Sequence, residues 1–200
     1  DISSKVVNRN PSGPFTTSTL QQTASSRLGF GASRTMQIAQ KLYQGVEIDG
    51  ETIGLITYMR TDGTNLSKDA VTSFRKYVQD NIGNEYLPKD PLNYSGKKAK
   101  NAQEAHEAIR PTDIIRTPQS VKKYLSSDQS KLYNLIWSRA LSSQMESAKF
   151  DRNTITISSD NSDTICKTSG SVLKFDGFLK IYNNQNKDDD ENVLPTMSKG

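Results

Sequence analysis

The sequence predicts an α+β fold: a mainly α-helical domain with helix-turn-helix-like elements, followed by antiparallel β-strands from a neighbouring domain. Three observations predict it. Apolar residues recur at three- and four-residue steps through the first two thirds of the chain, the period of amphipathic helices. After Phe150 the period drops to two, the period of strands. Clusters of Gly, Pro, Asn and Ser separate the periodic segments. The expected organisation is residues 1–13 as a linker or edge of the β domain, 14–146 as the helical domain and 147–200 as part of the β domain.

Each element follows from its local pattern. Residues 1–15 read as irregular or extended, broken by Asn8, Asn10, Pro11, Gly13 and Pro14. Leu20, Ala24 and Leu28 recur at four-residue steps, predicting a helix from Thr19 to Leu28 that ends at Gly29-Phe30-Gly31. Ser33 is the expected cap of a second helix, with Met36, Ala39, Leu42 and Tyr43 on one face and Gly45 as its stop. Residues 46–54 read as a polar loop turning at Asp49-Gly50, and 53–59 as an extended run. Ser67 should cap a third helix with Ala70, Val71, Phe74, Tyr77 and Val78 as its apolar stripe. Asn81 to Lys100 is a loop, Gln103 to Ile109 a short helix stopping before Pro111, and 119–126 helical. A further helix runs from Ser127 or Asp128 to about Met145, with Leu132, Leu135, Ile136 and Trp137 inside. Thr154–Ser158 and Thr164–Thr168 alternate as strands, and Val172–Tyr182 reads as strand, glycine interruption, strand. The tail from Asn183 to Glu191 is polar.

Composition narrows the function classes. The 200 residues are 33% hydrophobic with a net charge of +4, a mild basic balance that permits nucleic-acid binding without requiring it. Lys97-Lys98-Ala99-Lys100 reads as a solvated loop beside Ser95 and Gly96. Cys166 is the single cysteine, so no disulfide forms within the chain and no cysteine zinc cluster is available, which fits a reducing, cytoplasmic setting. No apolar run approaches the ~20 residues that cross a bilayer. The first residues, Asp1-Ile2-Ser3-Ser4, lack the basic start and apolar core of a signal peptide. A chain that begins without methionine reads as part of a longer protein.

The chemistry concentrates in Gly54–Thr64. Tyr58 lies two residues from Arg60, among Thr57, Thr61, Asp62 and Thr64. In an extended segment Tyr58 and Arg60 share one side, with Thr57 and Met59 on the other. A free phenol, with pKa about 10, is a weak nucleophile. A cation that holds a phosphate beside it makes it useful, which points to phosphoryl transfer through a protein nucleophile. The plainer reading is a strand end with Tyr58 half buried and Arg60 solvated.

Ile56-Thr57-Tyr58-Met59-Arg60-Thr61-Asp62 resembles the active-site tyrosine motif of the type IA DNA topoisomerases. Two more stretches resemble that family in the same order: Pro14-Phe15-Thr16-Thr17-Ser18-Thr19-Leu20-Gln21-Gln22 and Ala105-His106-Glu107-Ala108-Ile109-Arg110-Pro111. One departure is Gly63, where the family usually has serine. The resemblance implies that the β segment belongs to the arch, or strand-gate, domain. It implies that the Tyr58 hydroxyl cuts one DNA strand and becomes joined to the 5′-phosphate. A strand then passes and the break is resealed, relaxing negative supercoils without ATP. Arg60 would hold the scissile phosphate through its planar fork. Thr61, also a candidate DNA contact, and Asp62 would shape the loop, Asp62 orienting Arg60.

His106, the chain's single histidine, resembles the family histidine beside the active site. On a helix over 103–109 it would share a face with Arg110, and both would point at the DNA backbone, with Glu107 off that face. The hydroxyls of Thr17 and Ser18, at a helix start, either cap it or face phosphates. Arg27, Arg34 and Lys41 are further candidate backbone contacts.

The family's Mg²⁺ is held by an Asp-x-Asp-x-Glu cluster. The nearest approach here, Asp188-Asp189-Asp190-Glu191-Asn192, lacks the final glutamate. No metal ligand is therefore assigned in this chain. Mg²⁺ is expected on a domain outside it, so the chain alone is expected to be inactive. The expected partners are single-stranded DNA at the cleavage site and the remaining domains of the same enzyme, with no membrane, in a monomeric protein of the bacterial cytoplasm and nucleoid. The alternative is a non-catalytic helix-turn-helix module whose recognition helix, 33–44, points Arg34, Thr35, Gln37, Gln40 and Lys41 outward. A tyrosine recombinase is the wrong order, because Tyr58 precedes the histidine.

Overall fold

The computed structural model describes residues 1–94, 107–159 and 162–182. The fold is α+β, in two compact units: one mainly helical with a short antiparallel hairpin, the other a three-stranded antiparallel sheet. One unit is Ser12–Met145; the other joins Asp1–Pro11 to Glu146–Gly200.

The Ser12–Met145 unit is built on α1 (Thr17–Leu28), α2 (Ala32–Gln44), α3 (Lys68–Asn81), α4 (Pro118–Val121) and α5 (Ser127–Ser142). Four of these helices begin at hydroxyl caps that absorb first-turn amides. Thr16 closes a capping box with Thr19, Ser126 one with Gln129, and Ser67 and Thr117 accept from Ala70 and Ser120. The exception is α2, whose cap is Gly31 without a side-chain bond; Ser33, the expected cap, lies inside the helix. Its buried face is Thr35, Ile38, Ala39 and Leu42, so Tyr43 falls outside it. Leu20, Leu42, Phe74, Leu132, Tyr133, Ile136 and Leu141 are fully buried with Phe15, Leu55, Ile56 and Ile109 from the connecting segments. Burying each such side chain contributes about 1.5–3 kcal/mol.

The expected polar loop at 46–54 is instead a hairpin of β2 (Val46–Ile48) and β3 (Glu51–Ile53). Asp49 and Gly50 both have positive φ, 50° and 89°, which the right-handed twist of a two-residue hairpin requires. The Asp-Gly pair was the signal; the strands were too short for periodicity to show. Gly54 then passes so close to the end of α2 that a Cβ would lie 2.7 Å from the Tyr43 carbonyl oxygen.

The described end of the expected 103–109 helix is extended. Glu107 bridges Asn65 in parallel and Ile109 bridges Phe15 in antiparallel fashion. Long-range pairing of a segment with Ala108 and Ile109 fully buried outweighs local helix propensity.

The second unit is a three-stranded antiparallel sheet in the order β1 (Ile2–Arg9), β4 (Ala148–Ser159), β5 (Ser162–Phe175). The register runs from Ile2 opposite Ile155 to Arg9 opposite Ala148. Thr164–Thr168 and Val172–Phe175 form one continuous strand rather than two. The expected strand after Gly177 is absent among the described residues: Gly177–Lys180 forms a 3₁₀ turn. Gly177 has φ 49°, and the Phe178 amide turns back onto the Glu146 carbonyl at 2.9 Å, burying Phe178 and Tyr182.

Candidate active site around Tyr58

The three motif segments meet in one place. Residues 107–112 form its spine. The Ile109 amide donates to the Phe15 carbonyl at 2.9 Å, the Ala108 amide to Asn65 at 2.8 Å, and the Thr112 amide to Leu55 at 3.0 Å. Thr57 doubles the link: its amide donates to the Arg110 carbonyl at 2.9 Å, and its hydroxyl donates to the Ala108 carbonyl at 2.7 Å while accepting from the Arg110 amide at 3.0 Å. The peptide just before Tyr58 is thereby fixed to the spine.

The far side of Tyr58 is fixed to α1. The Thr17 hydroxyl accepts from the Thr61 amide at 2.8 Å and donates to the Met59 and Thr61 carbonyls at 2.8 and 3.0 Å. The Thr17 amide donates to the Thr61 carbonyl at 2.8 Å. Beyond it, the Gly63 amide donates to the Thr61 hydroxyl at 2.9 Å. The turn therefore depends on Thr61 rather than on the side chain at 63, and Gly63 is not among the glycines of positive φ.

Between these anchors the side chains alternate. Met59 and Thr61 are 1% and 7% exposed, while Tyr58 is 50% exposed and Arg60 and Asp62 face solvent. Arg60 makes no hydrogen bond or ion pair with another described residue. The Tyr58 ring meets Tyr43 edge-on, with centroids 5.3 Å apart and planes at 66°. Sequence reading placed Tyr43 on the core face of α2 and missed this contact, for which the chain carries no local signal.

Arg110 is committed to a brace. Its guanidinium donates to both carboxylate oxygens of Glu107 at 2.7 and 3.0 Å and to the Pro111 carbonyl at 2.9 Å. Glu107 also accepts the Ser67 amide at 2.8 Å, tying the start of α3 to the spine. Partial burial, the largest single influence, pushes the Glu107 carboxyl up. The bonds from Arg110 and Ser67 and the Arg110 charge together outweigh it and hold the group below its ordinary value.

The remaining candidates divide. Ser18 is exposed at the start of α1, its hydroxyl 3.2 Å from that of Thr16. His106, the basic run at 97–100 and the acidic run at 188–191 lie outside the described residues. Among the described residues no group of three His, Cys, Asp or Glu side chains is placed to hold a metal. No helix of the described residues is long and apolar enough to cross a membrane. The recognition-helix reading of α2 needs outward Arg34 and Thr35. Thr35 is fully buried, its hydroxyl donating to Gly31, whereas Arg34 is exposed as that reading expects and pairs with Asp128 at 2.6 Å.

A family model described as DNA topoisomerase matches residues 1–200. The protein named DNA topoisomerase 1 of Rickettsia prowazekii (strain Madrid E) is 53% identical over 201 residues, covering 99% of this chain and 26% of that protein. The protein of the same name from Campylobacter jejuni is 46% identical over 200 residues, covering 100% of this chain and 28% of that protein. The solved structure of full-length topoisomerase I from Thermotoga maritima matches with a TM-score of 0.84 at 37% identity, covering 100% of this chain and 31% of that one. This chain thus spans about a quarter of the length of the curated relatives it matches.

Proposed function

The chain belongs to the DNA topoisomerase family, and we propose that within it these residues carry the nucleophile of a type IA reaction. The Tyr58 oxygen attacks a backbone phosphorus and loses its proton. The bond from phosphorus to the 3′-oxygen breaks, and that oxygen leaves as a hydroxyl after gaining a proton. One phosphodiester is exchanged for another, so the strand can be resealed by the reverse step without ATP. Passage of a strand through the gap relaxes negative supercoils.

The observation that carries this reading is the arrangement around Tyr58. A half-exposed phenol and an exposed guanidinium project from one loop whose backbone is anchored on both sides. Anchoring matters because a nucleophile held near its target avoids the entropy of finding it. Arg60 can give two charge-assisted bonds to phosphate oxygens. We assign backbone contact to the exposed Ser18 and the start of α1, and a shaping role to the Arg110 guanidinium, paired with Glu107, and to the buried Thr61. His106 is assigned beside the phosphate by its motif. We assign Mg²⁺ to acidic side chains outside this chain, and no step above is routed through it. The chain by itself should then cleave DNA poorly. The remaining domains of the enzyme, single-stranded DNA and a monomeric cytoplasmic, nucleoid-associated setting complete the reading.

The test uses the longer enzyme that contains this chain, Mg²⁺ and single-stranded DNA labelled at either end. After trapping with denaturant and digestion, mass spectrometry locates any nucleotide adduct. A 5′-phosphate adduct on the Tyr58 peptide, lost in Tyr58→Phe with DNA binding retained, is the expected result. An adduct persisting in Tyr58→Phe removes Tyr58 from the role, and a 3′-phosphate adduct overturns the type IA assignment.

A further inference from the structure

The position of Thr17 in the first motif leaves two roles open to its hydroxyl: meeting phosphate or holding protein. A hydroxyl has one hydrogen to donate. At Thr17 that hydrogen is directed to the carbonyls of Met59 and Thr61, at 2.8 and 3.0 Å, and the same oxygen accepts the Thr61 amide at 2.8 Å. A phosphate oxygen only accepts, so donating to it would break the bonds to the tyrosine loop. The Thr17 amide is committed as well, to the Thr61 carbonyl at 2.8 Å. These bonds grip the backbone on both sides of Arg60 and directly after Tyr58. Thr61 is 7% exposed, so an amide deprived of Thr17 reaches water only if the loop moves.

We propose that Thr17 is a positioning residue that fixes the Tyr58–Thr61 loop on the start of α1 and makes no contact with DNA itself. The inference rests on the reading of Tyr58 as the nucleophile. Removing the hydroxyl should therefore slow the chemical step and leave DNA affinity unchanged.

The experiment compares Thr17→Val, which keeps the shape, Thr17→Ser, which keeps the hydroxyl, and Tyr58→Phe, in the longer enzyme with Mg²⁺. It measures the single-turnover rate of adduct formation on saturating single-stranded oligonucleotide, the Kd for that oligonucleotide, and hydrogen exchange across residues 58–62. Thr17→Val should form adduct about a hundredfold more slowly, the scale of a small misplacement of reacting groups. Its Kd should match wild type, exchange across 58–62 should rise, and Thr17→Ser should restore rate and protection. A wild-type rate in Thr17→Val, or a weaker Kd with an unchanged saturated rate, overturns the proposal, the second by making Thr17 a DNA contact. If Thr17→Val does not fold, Thr17→Ala replaces it: faster exchange with a slower rate supports the proposal, and unchanged exchange overturns it. Adduct in Tyr58→Phe would instead sink the nucleophile reading, while exchange across the loop still reports on Thr17.

Discussion

Tyr58 and Arg60 face outward because Met59 and Thr61 face inward. An apolar side chain and a tethered backbone pull alternate residues toward the core and leave the phenol and guanidinium on the solvent side. Arg60 has no protein partner to satisfy among the described residues, so its geometry is available to a ligand. Arg60→Lys should then lower the rate of adduct formation about tenfold or more, because a point charge cannot reproduce the paired bonds of the fork. Single-turnover cleavage measures it, and a wild-type rate would show that Arg60 is merely solvated. At this scale the sequence was readable where chemistry is local. Tyr58 and Arg60 lie two residues apart in one motif, and both side chains are exposed. The anchoring role of Thr17 was not readable, since its partners lie more than 40 residues away. Tyr43 was hidden for the same reason: its contact depends on the β2–β3 hairpin returning the chain to the end of α2.

Elements, not single residues, decide how rigid the loop is. The 107–112 spine is an extended segment among helices, held by isolated bridges, and it touches the chain near Phe15, Leu55, Thr57 and Asn65. The sequence reading placed a helix at 103–109 that stops before Pro111. The pattern cannot reveal that edges of three distant segments are waiting to be paired. Hairpin β2–β3 was likewise visible only as its Asp-Gly turn, while α3 and α5, long and strongly periodic, were legible, α3 with its Ser67 cap and α5 without its Ser126 cap. The Glu107–Arg110–Ser67 brace gives this element a pH dependence. The folded carboxyl of Glu107 is held below its ordinary value of 4.5, so the brace stabilises fully above that value and fades as pH falls through the folded one. Glu107→Gln should accordingly lower the thermal midpoint at neutral pH, and the gap from wild type should close as the solution is acidified below pH about 4. Melts across that range check the sign; a gap that widens toward acid would mean the carboxylate is not held by Arg110 and Ser67.

The whole chain divides where its chemistry divides. Every residue that builds the Tyr58 loop belongs to Ser12–Met145, whereas β1 and β4, far apart in sequence, meet only within the other unit. A helical unit with its own buried core and its own caps should fold alone. Residues 12–145, produced separately, should show helical circular dichroism and a single cooperative melt; a molten profile without a transition would show that the core is incomplete. The same fragment should have an alkaline limit. Burial pushes the phenol of Tyr94 up to about 12, opposed by the charge of Arg139, and burial also raises that of Tyr133 well above its ordinary value of 10.0. Both hydroxyls donate to backbone carbonyls, Tyr94 to Ser143 at 3.1 Å and Tyr133 to Arg116 at 2.7 Å. Because the folded values lie above the unfolded ones, the neutral phenols stabilise fully below pH about 10 and the contribution is lost as pH rises through the folded values. Ultraviolet titration of the fragment should therefore show phenols that ionise only as the helical signal collapses. Removing one of them with Tyr94→Phe should raise the pH at which that collapse begins, and an unchanged onset would assign the alkaline limit to other groups.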